Sequence, residues 1–146
     1  MALTIKCVEY YYTTVEDKHG KAYWLLKHLS QQGVNLIAFT VFPLGGNRSQ
    51  MDFVADNTEN LQSAATAAAI PLTGPKRAFL VQGKDDVGAI VELHQKLSQS
   101  GISVHAASGV NDGEGRFGYV FWVKPGTFDK AAAALGVSGR VYEPVP

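Results

Sequence analysis

The sequence predicts an α+β chain of two tandem βαββαβ units, residues 1–76 and 77–146, and three observations carry that prediction. The second half repeats the first. With a shift of 68 positions, Asp17, Gly20, Leu25, Leu29, Ser30, Gln31, Gly33 and Ala38 fall on Asp85, Gly88, Leu93, Leu97, Ser98, Gln99, Gly101 and Ala106, and Gly45, Arg48 and Phe53 fall on Gly113, Arg116 and Phe121. A three-residue deletion is then expected to bring Leu72-Thr73-Gly74 onto Val137-Ser138-Gly139. Self-similarity at a fixed period marks a duplicated structural unit. Within each half, the apolar pattern switches between a period of two and a period of 3.6 in the same order. A hydrophobic fraction of 46% against 18% charged residues suits a chain that buries a core.

In the first unit, Glu9 to Val15 is dense in Tyr, Thr and Val and reads as a strand, and Asp17 to Gly20 is a polar turn. From Lys21 the period becomes helical, with Ala22, Leu25, Leu26 and Leu29 on one face and Lys21, Lys27, His28 and Gln31 away from it. Gly33 stops that helix, Val34 to Leu44 is a second strand, Gly45-Gly46-Asn47 a hairpin turn, and Gln50 to Ala55 a third strand. Thr58 to Ala69 is an alanine-rich helix ended by Pro71, and a short strand runs from Leu72 to Lys76.

The second unit follows the same order. Ala78 to Gln82 is a strand, Val87 to Ser100 a helix, Ile102 to Val110 a strand and Asp112 to Gly115 a glycine-rich turn. Phe117 to Val123, a helix from about Thr127 to Leu135, and a strand over Ser138 to Tyr142 complete it. Each unit is therefore a split βαβ, a ferredoxin-like antiparallel sheet with two helices on one face. Period-two parity places Tyr11, Thr13, Met51 and Phe53, and Phe79, Val81, Phe117, Tyr119 and Phe121, on the sheet face away from the helices.

The 13 basic and 13 acidic residues cancel, and no basic run offers an electrostatic footprint for nucleic acid or a membrane surface. Cys7 is the only cysteine, which excludes an internal disulfide or a multi-cysteine metal site and fits a reducing compartment. Lys6 and Glu9 interrupt the apolar pattern of the amino-terminal segment, so no signal peptide is expected, and no apolar run is long enough to span a bilayer. A cytoplasmic protein is the resulting expectation.

The strand-to-helix joints carry a likeness to a known family. Asp17-Lys18-His19-Gly20, followed by Leu25, Leu29 and Gly33-Val34-Asn35-Leu36, resembles an ACT domain, the βαββαβ regulatory module of amino-acid metabolism. Asp85-Asp86-Val87-Gly88, followed by Leu93, Leu97 and Gly101-Ile102-Ser103-Val104, resembles a second. By position, the resemblance implies ligand contacts at Asp17, Gly20 and Asn35, and at Asp85, Gly88 and Ser103; apart from the resemblance, His19 in the same turn is a candidate to touch a ligand carboxylate. In many members the ligand sits between two such units. The physical logic holds without the family. A glycine at the entrance to a helix lets backbone N–H groups approach a small anion, the helix terminus adds positive potential, and a nearby carboxylate holds an ammonium. A free amino acid presents that pair of charges. His19 and Val87 stand where a proline often precedes the turn glycine, and Ser103 replaces the amide that Asn35 keeps, so the first unit is the better candidate.

Other readings compete. Phe117-Gly118-Tyr119-Val120-Phe121-Trp122 resembles the aromatic third-strand motif of the RNA-recognition motif, with Phe79 where a further stacking ring would lie. Gly115-Arg116 reverses the basic-then-glycine start of that motif, and the first unit has Ser49 and Met51 at the ring positions. His19, His28, His94 and His105 show no metal-ligand spacing, and His94 reads as a hydrogen-bonded residue at the edge of the core. Neither glycine-rich turn has the lysine of a phosphate-binding loop. Trp24 lies outside the Leu25/Leu29 stripe, and either covers an edge of the core or marks a self-association surface. The expectation is a non-enzymatic, cofactor-free tandem ACT-like protein that binds an amino acid, forms a homodimer and signals to an effector protein. Its alternative is a structural or interaction module without ligand.

Overall fold

The computed structural model describes residues 3–138. The elements are β1 (Thr4–Glu16), α1 (Lys21–Gln31), β2 (Leu36–Gly45), β3 (Arg48–Ala55), α2 (Thr58–Ala67), β4 (Thr73–Lys84), α3 (Val91–Gln99), β5 (Val104–Asn111), β6 (Arg116–Val123) and α4 (Phe128–Ala134), the last preceded by a 3-10 turn over Pro125–Thr127. The expected strand at Ser138–Tyr142 lies outside the described residues, Ser138 excepted, and Ser138 itself is not in a strand. Two strands expected on either side of Lys76-Arg77 are one continuous strand, β4, because no turn-forming residue separates them.

Among the described residues the contacts group 9–76 into one compact unit, and 77–138 together with 3–8 into another. The unit boundaries thus fall inside β1 and β4. In the first unit the strand order is β2-β3-β1-β4, and in the second β1-β4-β6-β5. Tyr11 pairs with Phe53 and Phe39 with Phe53 across the antiparallel ladders of the first unit. The equivalent ladders of the second pair Phe79 with Phe121 and Ala107 with Phe121. Both are ferredoxin-like α+β arrangements.

The helices cover the face that the parity argument had left open. Leu25 and Leu29 of α1 and Leu61 and Ala64 of α2 pack in one core with Tyr11, Met51 and Phe53. Leu93 and Leu97 of α3 and Phe128 and Ala131 of α4 pack with Phe79, Val81, Tyr119 and Phe121. The expectation is corrected for a specific reason. β3 reads Met51-Asp52-Phe53-Val54-Ala55 and is buried at every one of those positions, so period two alone does not say which set meets the helices. Phe79 stacks on Phe121 with 5.0 Å between ring centroids and on Phe128 with 4.4 Å, the dense aromatic packing of an interior.

All four helices end in the same way. The second residue after each helix turns left-handed, and the N–H of the next reaches back to the carbonyl five residues earlier: Val34 to Leu29, Ile70 to Ala65, Ile102 to Leu97 and Val137 to Ala132. This motif also resets the repeat. Ile70 corresponds to Val137, a shift of 67, so a one-residue deletion separates the two halves there and not the three residues expected. α3 starts at Val91, four residues later than expected, because Gly88 takes φ +74° and Asp86 to Ile90 form a turn.

Asp52 sits on the opposite sheet face from Phe53 and is buried, its Oδ1 accepting a 2.9 Å hydrogen bond from Gln50 Nε2. Burial pushes its carboxyl above the usual range, partly offset by the Gln50 bond and the Lys76 charge. A carboxyl harder to ionise in the folded chain holds its proton more tightly there than when unfolded. Its contribution to stability therefore falls as pH rises from the unfolded pKa through the raised folded one, and the penalty is complete above that value. Asp52→Asn keeps an acceptor for Gln50 and removes the charge. Urea unfolding should show the variant more stable than the parent at pH ~7, with the advantage shrinking as pH is lowered toward ~4.

Candidate functional site

Two equivalent joints connect a strand to a helix. In the first unit, the Asp17 N–H donates to the Asn47 carbonyl of the β2–β3 hairpin at 2.6 Å, the Lys18 N–H to the Glu16 carbonyl at 2.9 Å, and the Lys21 N–H to the Lys18 carbonyl at 3.2 Å. Sixty-eight residues on, Asp85 donates to Gly115, Asp86 to Lys84 and Ala89 to Asp86. Gly20 takes φ +79° and caps α1 directly, with no side-chain cap and no acidic residue in the first turn. The N-terminus of α1 therefore keeps the donors and positive potential that a small anion seeks.

The second joint differs in its side chains. Asp85 Oδ2 accepts a 3.1 Å hydrogen bond from Asn111 Nδ2, so its carboxylate is engaged within its own unit. Val87, the residue in the place of His19, is fully exposed, and α3 starts three residues beyond Gly88 with Glu92 in its first turn. An acidic first turn opposes a second anion there.

Asn35 and Ser103 lie elsewhere. Both are exposed and follow the C-terminal ends of α1 and α3, whereas Asp17, His19 and Gly20, or Asp85 and Gly88, lie at the N-terminal ends. An 11-residue helix is about 16 Å long, so no single unit brings its turn glycine and its strand-entry residue together. Asn35 Nδ2 instead donates to Asp56 Oδ2 at 3.4 Å, while the Asp56 N–H donates to the Asn35 carbonyl at 3.0 Å.

Beside the first joint is an open cleft of about 460 Å³. The end of β1 supplies Thr13, Thr14, Val15 and Glu16, the joint supplies Lys18, and α1 supplies Lys21, Trp24 and Leu25. The α2–β4 connection closes it with Ala68, Ala69, Ile70 and Pro71. Asp17, His19 and Gly20 do not line it, although Glu16, Lys18 and Lys21 on either side of them do. The half-exposed Trp24 ring forms one wall, stacked on His28 with 6.0 Å between centroids. His28 is itself held by the Ala64 carbonyl at 3.2 Å and so is half-buried, not directed away from the core as expected. Lys18 Nζ pairs with Glu16 Oε2 at 2.8 Å, which holds the Glu16 carboxyl below its usual range and raises the Lys18 ammonium. Lys21 Nζ lies 6.0 Å from the centre of the Trp24 ring. The cleft thus combines a cation, a carboxylate, threonine hydroxyls and an apolar wall. Its walls come from three separated segments, which no local motif announces.

The competing features have structural roles. Phe79 and Phe121 are fully buried, Tyr119 is buried with its hydroxyl 2.8 Å from His94 Nε2, and Phe117 is half-buried against the same core, so the rings that resembled an RNA-stacking platform pack into or against the core. Cys7 is buried, its Sγ donating to the Ser138 carbonyl at 3.1 Å, and burial raises its thiol above the usual range, which makes it a poor nucleophile. Among the described residues no group of three or more His, Cys, Asp or Glu could hold a metal ion, and no helix is long and apolar enough to cross a membrane.

No protein-family model and no curated protein matches the sequence. Solved structures do match the fold. A protein of Bacteroides thetaiotaomicron superposes with a TM-score of 0.76 at 14% identity, over 90% of this chain and 88% of that one. The ligand-free regulatory subunit of aspartate kinase from Thermus thermophilus gives 0.57 at 17% identity, over 92% and 93%. A putative C-terminal regulatory domain of aspartate kinase from Porphyromonas gingivalis gives 0.52 at 18% identity, over 92% and 94%. At such identities the likeness establishes the fold, which is ACT-like.

Ala69, in the cleft wall, is the one non-glycine among the four left-handed residues that end the helices. It takes φ +54°, where Gly33, Gly101 and Gly136 take +75°, +70° and +71°. A β-carbon in that conformation costs about 1 kcal/mol. Ala69→Gly should therefore stabilise the chain by about that amount, and Gly136→Ala at the equivalent place should cost a similar amount, both read by urea unfolding.

Proposed function

We propose that this chain is a non-catalytic regulatory protein built of two ACT-like units, and that the first binds a free amino acid in the cleft beside α1. The observation that carries the reading is the cleft itself, lined by Glu16, Lys18, Lys21, Trp24, Leu25 and Ile70 beside the start of α1, a helix without a side-chain cap. The ligand carboxylate faces Lys21 in the first turn of α1, with His19 and Gly20 next to the cleft and outside its lining. The ligand ammonium takes the place of the exposed Lys18 ammonium that pairs with Glu16 at 2.8 Å, with Asp17 adding negative potential. The side chain lies against the indole.

The second joint supports a different role in the same protein. Asp85 is held by Asn111, and Glu92 opposes an anion, so Asp85 and Gly88 serve the fold of their unit more than a ligand, and Ser103 lies at the far end of α3. Two of the structures with this fold are named as regulatory parts of aspartate kinase, which supports a regulatory reading. Binding would shift the population of conformations that an effector protein reads.

Thermal unfolding with each of the twenty amino acids in millimolar excess tests the proposal. Ligand at about 100 times its dissociation constant adds about 2.7 kcal/mol, a rise of roughly 5–11 °C for a chain of this size. One or a few related amino acids should give that rise, and Lys21→Gln, an exposed change, should abolish it without altering the unliganded melting temperature. A flat panel, or a rise that survives Lys21→Gln, overturns the assignment and favours a structural or interaction module.

A further inference from the structure

Resting on the binding site proposed above, we infer that the amino acid taken by the first unit's cleft is a dicarboxylic one, and that Lys18 selects it by pairing with the side-chain carboxylate.

The charges around the cleft are unequal. Lys18 and Lys21 line it against a single carboxylate, Glu16. Arg48 stands opposite Glu16 in the β1–β3 ladder and brings a third cation to the same place. These cations, Lys18 above all, hold the Glu16 carboxyl below its usual range. Asp17 adds one more carboxylate, outside the lining, and one positive charge is still left over. An amino acid with an uncharged side chain is a zwitterion and leaves that surplus as it was. A second carboxylate cancels it, and charge complementarity of this kind decides specificity more than raw affinity.

The surplus falls on Lys18. In the empty cleft its ammonium pairs with Glu16 Oε2 at 2.8 Å, and both side chains are exposed. When the ligand ammonium takes over Glu16, one ion pair forms as another is lost, so the exchange alone gains little. A side-chain carboxylate gives the displaced Lys18 a new partner and turns the exchange into the gain of one pair. The methylenes of such a side chain lie against Trp24, in the wall of the same cleft.

The second joint shows that this polarity belongs to the first unit and not to the fold. Sixty-eight positions on, Lys84 stands in the place of Glu16 and Asp86 in that of Lys18, with the signs exchanged and 3.7 Å between the charged atoms. Ala89 replaces Lys21, and Glu92 replaces Trp24. Carboxylates therefore collect at the second joint where cations collect at the first, and a ligand with two carboxylates is repelled there.

Titration calorimetry at low ionic strength with L-glutamate, L-aspartate, L-glutamine, L-asparagine and L-leucine tests this. Glutamate or aspartate should bind about fivefold more tightly than its own amide, the effect of one exposed ion pair. In Lys18→Gln that preference should vanish, with the amide bound no more weakly than before, and Lys18→Arg should retain it. An amide or leucine that binds as tightly as the acid overturns the selection of a second carboxylate and leaves the proposed site standing. Binding of some other amino acid, with neither acid bound, has the same meaning. A preference that survives in a folded Lys18→Gln overturns the role of Lys18. Only a chain that binds no amino acid at all loses the proposed site as well.

Discussion

Each unit is organised around one cross-strand aromatic pair: Tyr11 opposite Phe53 in the first, and Phe79 opposite Phe121 in the second. The members of the second pair stand 68 positions after those of the first, so the duplication preserved a contact as well as a sequence. These side chains sit on the central strands beneath both helices of their unit. Burying several large rings there is a leading favourable term in the folding of so small a unit. Once the pair is in place, a one-residue slip of either strand would carry every buried side chain to the wrong face. Register therefore follows from the core.

Register in turn positions the joint. With Tyr11 opposite Phe53, β1 runs on to pair Glu16 with Arg48, and the chain turns where the Asp17 N–H meets the hairpin carbonyl of Asn47. Gly20 then starts α1 at once, which leaves the helix terminus bare and sets Lys21 and Trp24 on the cleft. In the second unit the same backbone bonds recur, but a later helix start, an engaged Asp85 and an acidic first turn change what the joint offers. Duplicated backbone geometry thus carries two different surfaces at the joints.

Much of this was legible in the residues. The stripes Leu25/Leu29 and Leu93/Leu97 predicted the buried faces of α1 and α3, and Gly33 predicted how α1 ends. His94 was expected at the core edge and is held there by Tyr119. The covered face of each sheet was misread because β3 is buried on both parities and periodicity then has no contrast to work with. The repeat's final register was misread because Ala69 stands in a place that three other helices give to glycine, so the signal that marks a helix end was missing. The cleft was the least legible feature. Thr13, Lys21 and Ile70 are far apart in sequence, and only the fold brings them together. Trp24 attracted notice on the sequence as an aromatic outside its stripe, and the structure shows it as a cleft wall.

Tryptophan emission reports directly on whether the first unit's cleft takes a small zwitterion against Trp24, as proposed. The chain has two tryptophans, and Trp122 is buried while Trp24 is half-exposed. Titration with an amino acid should change the emission saturably in the unmodified chain, and should leave it unchanged in Trp24→Phe, where only Trp122 remains to report. An emission insensitive to every amino acid, or a saturable change that persists in Trp24→Phe, would contradict the claim.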